Sequence, residues 1–138
     1  MKPITQQWLE FAKTDILCCE KNLNDEFLTS IIAFHSQQIV EKCFKAVIEE
    51  NESNVPRIHN LIRLHKIIKD FINFPVNLDS LTTLDEVYTT SRYPGETGLM
   101  PFGKPSNEQA NEMYESAKYI YEKIIEMFEI SEKNKEKN

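Results

Sequence analysis

The chain has 138 residues, a formal net charge of −6, and 28% charged against 41% hydrophobic residues, the balance of one ordinary globular domain. No apolar run approaches the roughly 20 residues of a membrane span, and six Pro and three Gly are too few for a collagen-like or low-complexity chain. The acidic balance argues against a surface that coats DNA, but it leaves room for one local phosphate site.

The opening, MKPITQQWLEFAK, has no signal-peptide core, which predicts an intracellular, cytoplasmic protein. Residues 4–22 carry Ile4, Trp8, Phe11, Ala12, Asp15, Ile16 and Cys19, apolar at steps of three and four as in an amphipathic helix. After the polar break NLNDE, residues 27–50 read as a longer helix, apolar around much of its circumference as a central bundle helix should be. Pro56 closes a loop, and residues 59–72 predict a shorter helix on Leu61, Leu64, Ile68 and Phe71. Residues 79–90 predict another, with Asp79 or Ser80 as its cap.

The segment SRYPGETGLMPFGKP, residues 91–105, holds all three Gly and three Pro, which forbids regular structure and marks a functional loop. Ser106 and Gln109 form a capping-box pattern that opens the last helix. Its apolar spacing continues to about residue 130. The tail SEKNKEKN has no apolar residue and is expected to fray. No stretch alternates with period two. The pattern predicts an all-α, up-and-down bundle of about five helices, with one helical domain over 1–130 and a polar tail over 131–138.

Cys18, Cys19 and Cys43 are an odd count without a CxxC spacing, so they are expected to be reduced and packed as small hydrophobes, not metal ligands. P-loop, dinucleotide, zinc-protease and serine-hydrolase signatures are all absent, and no cofactor or metal is expected. Chemistry is concentrated elsewhere. On the second helix Gln37, Glu41 and Lys45 are spaced by four and share a face, flanked by Gln38 and Lys42. Such a stripe on an apolar helix must meet water, a partner or other polar groups; in its plainest form it is a solvated face with one Glu41–Lys45 pair. His35 sits among apolar neighbours, as a hydrogen-bonded core histidine would. All three Arg and two of three His fall between positions 57 and 92. His59 and His65 are six apart, a poor metal pair, and the basic run from Arg57 to Lys69 reads either as an exposed face or as a phosphate site. In Arg92-Tyr93-Pro94, Pro94 turns the Tyr ring and the guanidinium out of the helical path, where they could hold a phosphate and stack a base.

These pieces resemble the HEPN superfamily (higher eukaryotes and prokaryotes nucleotide-binding domain). The resemblance rests on His35-Ser36-Gln37-Gln38 followed by Glu41-Lys42 and Lys45-Ala46, on His59-Asn60-Leu61 with Asn in place of the family's usual Asp, and on Arg92-Tyr93-Pro94. Asp15 in the first helix matches an acidic family position, and the likeness covers about residues 5–130.

The resemblance implies a helical bundle with a four-helix core, often a homodimer. The leading expectation is a non-catalytic protein that binds a nucleotide or docks a minimal nucleotidyltransferase, the partner the resemblance implies, in some pairs as toxin and antitoxin. The implied nucleotide- or partner-binding residues are Gln37, Glu41, Lys45, His59, Arg92 and Tyr93. Lys45 and Arg92 would hold phosphate, Glu41 would orient Lys45, and Tyr93 would stack or donate its hydroxyl. A ribonuclease branch of the superfamily carries an Arg, four to six residues, then His. Here Arg57 and Arg63 meet His59 and His65 at other spacings and no His follows Arg92, so no catalytic residue carries over. The rival readings are a structural homodimeric interaction module and a metal-independent ribonuclease using non-standard residues such as His59 or His65 with Arg63. RNA is a weaker partner expectation than nucleotide, and no membrane association is expected.

Overall fold

The computed structural model describes residues 1–52, 54–90 and 103–137. Five α-helices, with no strand among the described residues, follow in the order α1 (Pro3–Asn22), α2 (Thr29–Asn51), α3 (Leu61–Ile68), α4 (Leu78–Thr90) and α5 (Asn107–Glu136). No helix among the described residues is long and apolar enough to cross a membrane.

Pro3 sits in the first turn of α1, where its missing N–H costs nothing. The helix buries Leu9, Ala12, Ile16 and Cys19 along one stripe. It stops where Asn24 takes a positive φ of 67°, a left-handed turn that Asn tolerates. The start of the expected second helix is a separate 3₁₀ turn, Glu26–Leu28, because the Asp25 side chain accepts from the Phe27 N–H and diverts the backbone.

α2 packs on every other helix and buries Ile32, Ile39, Val40, Cys43, Phe44, Val47 and Ile48. Each such side chain contributes about 1.5–3 kcal/mol by leaving water. The circumference that looked too apolar for a surface helix is therefore the bundle's axis. α1 runs antiparallel to it, with Trp8 beside Lys45 and Asp15 beside His35 and Lys42. From Glu52 the chain returns to His59, level with Gln37 and Glu41. α3 is shorter than expected and excludes His59, because Asn60 caps it by accepting from the Arg63 N–H. α4 is capped by Asn77, not by Asp79 or Ser80; the Asn77 carboxamide accepts from both of their N–H groups.

The capping box at Ser106 and Gln109 forms with both of its reciprocal bonds. α5 then continues to Glu136. Lys135 lies 4.0 Å from Glu50 and 3.7 Å from Glu132, and the chain's own N-terminal amine donates to Glu132. Charge pairing thus carries a helix that has run out of apolar residues. Cys19 and Cys43 are buried and Cys18 half-buried, all as free thiols. Burial, only partly offset by the Ser36 hydroxyl, pushes the Cys19 thiol up to about 12, so it stays protonated and unreactive.

Candidate functional site

The polar stripe of α2 is not a solvated face. Gln37, Glu41 and Lys45 are all buried, and the Glu41 side chain is only 6% exposed. A carboxylate in that position must be matched by donors, and four side chains supply them. Lys45 Nζ lies 3.0 Å from Oε2. Gln37 Nε2 and Gln38 Nε2 lie 3.3 Å and 3.5 Å from Oε1. His59 Nδ1 lies 3.1 Å from Oε2 and 3.2 Å from Oε1. An ionised carboxylate only accepts, so His59 carries its proton on Nδ1 and presents Nε2 outward when neutral. The imidazole side chain is 59% exposed.

Local structure explains why these groups converge. Gln37 and Lys45 flank Glu41 at one helical turn either way. Gln37 also donates to the His59 carbonyl at 2.9 Å, which fixes the approach to α3 against α2. The N–H groups that open α3, those of Leu61 and Ile62, are taken by Asp85 of α4 at 2.9–3.4 Å. Burial pushes the Asp85 carboxyl above its ordinary 3.8 despite these donors, and the nearby negative charge of Glu41 adds to the rise. Aromatic rings lie beside this cluster. Tyr88 is 6.0 Å from the His59 ring and stacks on Phe34 at 5.7 Å. Lys45 sits 5.7 Å from the centre of the Trp8 ring, a cation–π contact that covers the ammonium from the α1 side.

A second carboxylate lies between α1 and α2. Asp15, 6% exposed as a side chain, accepts from His35 Nδ1 at 2.7 Å and from Lys42 Nζ at 2.6 Å. His35, expected to be a core histidine, is hydrogen-bonded but 26% exposed.

The structure thus brings together four of the six expected residues: Gln37, Glu41, Lys45 and His59. Arg92 and Tyr93 lie outside the described residues. Lys45 donates to Glu41, and the lysine is turned into the protein, with 7% of its side chain exposed. Sequence reasoning missed Asp85 and Tyr88 of α4, which lie more than twenty residues from His59 in sequence and carry no local signal. It also missed the pairing of Asp15 with Lys42; the one sign was an acidic residue on an otherwise apolar stripe of α1. The donors that meet Glu41 and Asp15 are lysines, histidines and carboxamides, not Arg57 or Arg63. His65 lies beside Phe44, its rings 6.1 Å apart, away from Glu41. Among the described residues no group of three His, Cys, Asp or Glu side chains could hold a metal.

Comparison with known proteins adds family and fold. A model of the HEPN domain matches residues 5–130. The crystal structure of TT1696 from Thermus thermophilus superposes with a TM-score of 0.74, at 21% identity, over 91% of this chain and 98% of that one. None of the curated proteins compared with the chain matches it.

Proposed function

From the premise that the chain belongs to the HEPN domain family, we propose that it is a non-catalytic binding protein whose Glu41-centred face receives a nucleotide. The observation that carries this reading is the state of Glu41. A nearly fully buried carboxylate is saturated by Lys45, Gln37 and Gln38, and holds one exposed, orientable imidazole, His59, beside the aromatic pair Phe34–Tyr88. Buried polar groups of this density fix geometry more than they add stability, and what they fix here is the surface at His59.

In this reading His59 and Arg92 meet the phosphates and Tyr93 the base, while Gln37, Glu41 and Lys45 position His59. A thermal-shift series with ATP, GTP and AMP at low salt tests it. Ligand at 100 times its dissociation constant stabilises by about 2.7 kcal/mol, several degrees for a domain of this size. Wild type should shift, and His59→Ala and Arg92→Ala should not; equal shifts in all three would overturn the assignment.

A second reading, docking of a minimal nucleotidyltransferase, is favoured by an outer face of α1, where Ile4 and Phe11, seven residues apart, are 53% and 57% exposed. It predicts that Phe11→Asp abolishes co-purification with such a partner while leaving nucleotide shifts intact.

A further inference from the structure

Two side chains of α2 on the α1 side are held in place by a carboxylate that solvent hardly reaches. Both oxygens of Asp15 are engaged, one by His35 Nδ1 at 2.7 Å and the other by Lys42 Nζ at 2.6 Å. The carboxylate side chain is 6% exposed, whereas His35 and Lys42 remain 26% and 22% exposed. The buried group is thus the anchor, and the two groups it anchors reach the surface. Donation from Nδ1 sets the imidazole proton there and leaves Nε2 with no hydrogen-bond partner among the described residues. Lys42 gives one of its three N–H donors to Asp15 and keeps two.

The charges follow. With His35 neutral, Asp15 and Lys42 cancel. A proton on His35 Nε2 gives the cluster a net positive charge and a second outward donor, beside the ammonium. Among the described residues, His35 meets Asp15 from α1, which Lys42 also meets, and the Phe34 ring edge-on at 5.2 Å, and Phe34 in turn stacks on Tyr88 of α4.

We propose that His35 and Lys42, both pinned by Asp15, form a clamp for a phosphate-type oxyanion, free or as a phosphate monoester, on the strip between α1 and α2. The ligand is held by charge-assisted bonds from His35 Nε2–H and Lys42 Nζ–H. Asp15 is a positioning residue that never touches it. This site shares no hydrogen bond with the Glu41 cluster among the described residues, though His35 touches the Phe34 ring that stacks on Tyr88 beside His59, and it stands whether or not that cluster takes a nucleotide.

The three histidines make the test internal. Ring resonances of His35, His59 and His65 are followed by NMR in the full-length protein as inorganic phosphate is added to about 20 mM, a range suited to a millimolar site. His35 should move and saturate, and His65 should stay. Lys42→Met should weaken binding about tenfold. Lys42→Arg keeps the pair with Asp15 and should restore it, which separates loss of the donor from loss of the fold. His59→Ala should leave the His35 response unchanged. Running AMP in place of phosphate tells a monoester from the free ion: tighter binding of AMP at His35 assigns the monoester, equal binding the ion alone. A His35 ring unmoved by both probes, or a Lys42→Met protein that binds like wild type, would overturn the proposal.

Discussion

Asp15 and Glu41 are two solutions to one problem on adjacent flanks of α2. Each carboxylate side chain is 6% exposed, and each is matched by one lysine and one histidine. They differ in which partner is buried with them. Lys45 is 7% exposed and covered by Trp8, while Lys42 is 22% exposed. The histidines differ too, at 59% for His59 and 26% for His35. The Glu41 side therefore contains a buried ion pair that turns one imidazole to the surface. The Asp15 side contains a buried anchor that turns out two cationic groups. A buried cation serves the structure; a half-exposed one is available to a ligand.

The sharpest way to break this comparison is to remove each carboxylate. Glu41→Ala strands the Lys45 ammonium in a dry place and should cost about 3–4 kcal/mol in urea unfolding. Asp15→Ala strands two groups that water can reach, and should cost about 1–2 kcal/mol. Equal losses would show that the difference in exposure does not govern the energetics.

Asp85 sharpens the Glu41 side. Asp85→Ala uncaps the Leu61 and Ile62 N–H groups and should cost about 1–2 kcal/mol. Its pH dependence has a defined sign. The folded carboxyl titrates above its ordinary 3.8, so the folded state holds the proton longer, and the stability this gives is present at acid pH and lost as pH rises through the folded value. In Asp85→Asn that loss disappears, so as pH rises from below the ordinary 3.8 through the raised folded value the stability of the variant should rise relative to wild type. An unchanged difference would mean that Asp85 titrates normally.

The smallest expected effect is at the entry to α3. Asn60→Ala removes one cap bond and should cost about 1 kcal/mol, whereas Asn60→Asp, the residue more usual in the family, should be neutral or slightly stabilising at the helix N-terminus.

The helices were legible because their apolar spacing largely follows burial: Ala12, Ile16 and Cys19 of α1, Ile32, Ile39, Cys43 and Val47 of α2, and Ala110 to Phe128 at helical steps in α5 are buried, whereas Ile4 and Phe11 of α1 are apolar at the same spacing and exposed. The errors fall where polar side chains compete with the backbone. Asp25 makes a 3₁₀ turn, Asn60 shortens α3 and Asn77 takes the cap of α4. Those contacts are local but depend on backbone angles that composition does not reveal. The last turns of α5 lie beside Glu50 and the N-terminal amine, both far away in sequence. At the site, the spacing of Gln37, Glu41 and Lys45 placed them on one face. Whether that face met water or a carboxylate network depended on α1 and on the return of the chain to His59, which no single helix encodes. Asp85 and the Asp15–His35–Lys42 triad are tertiary in the same way.

The most direct measurement is a titration of the full-length protein with ATP, with the three histidine rings as reporters. The His59 resonances should move and saturate while those of His65, whose pKa burial and Lys69 hold below the ordinary 6.5, should not. A His59 ring unchanged at saturating nucleotide, or no saturable change in any histidine, would contradict nucleotide binding at His59.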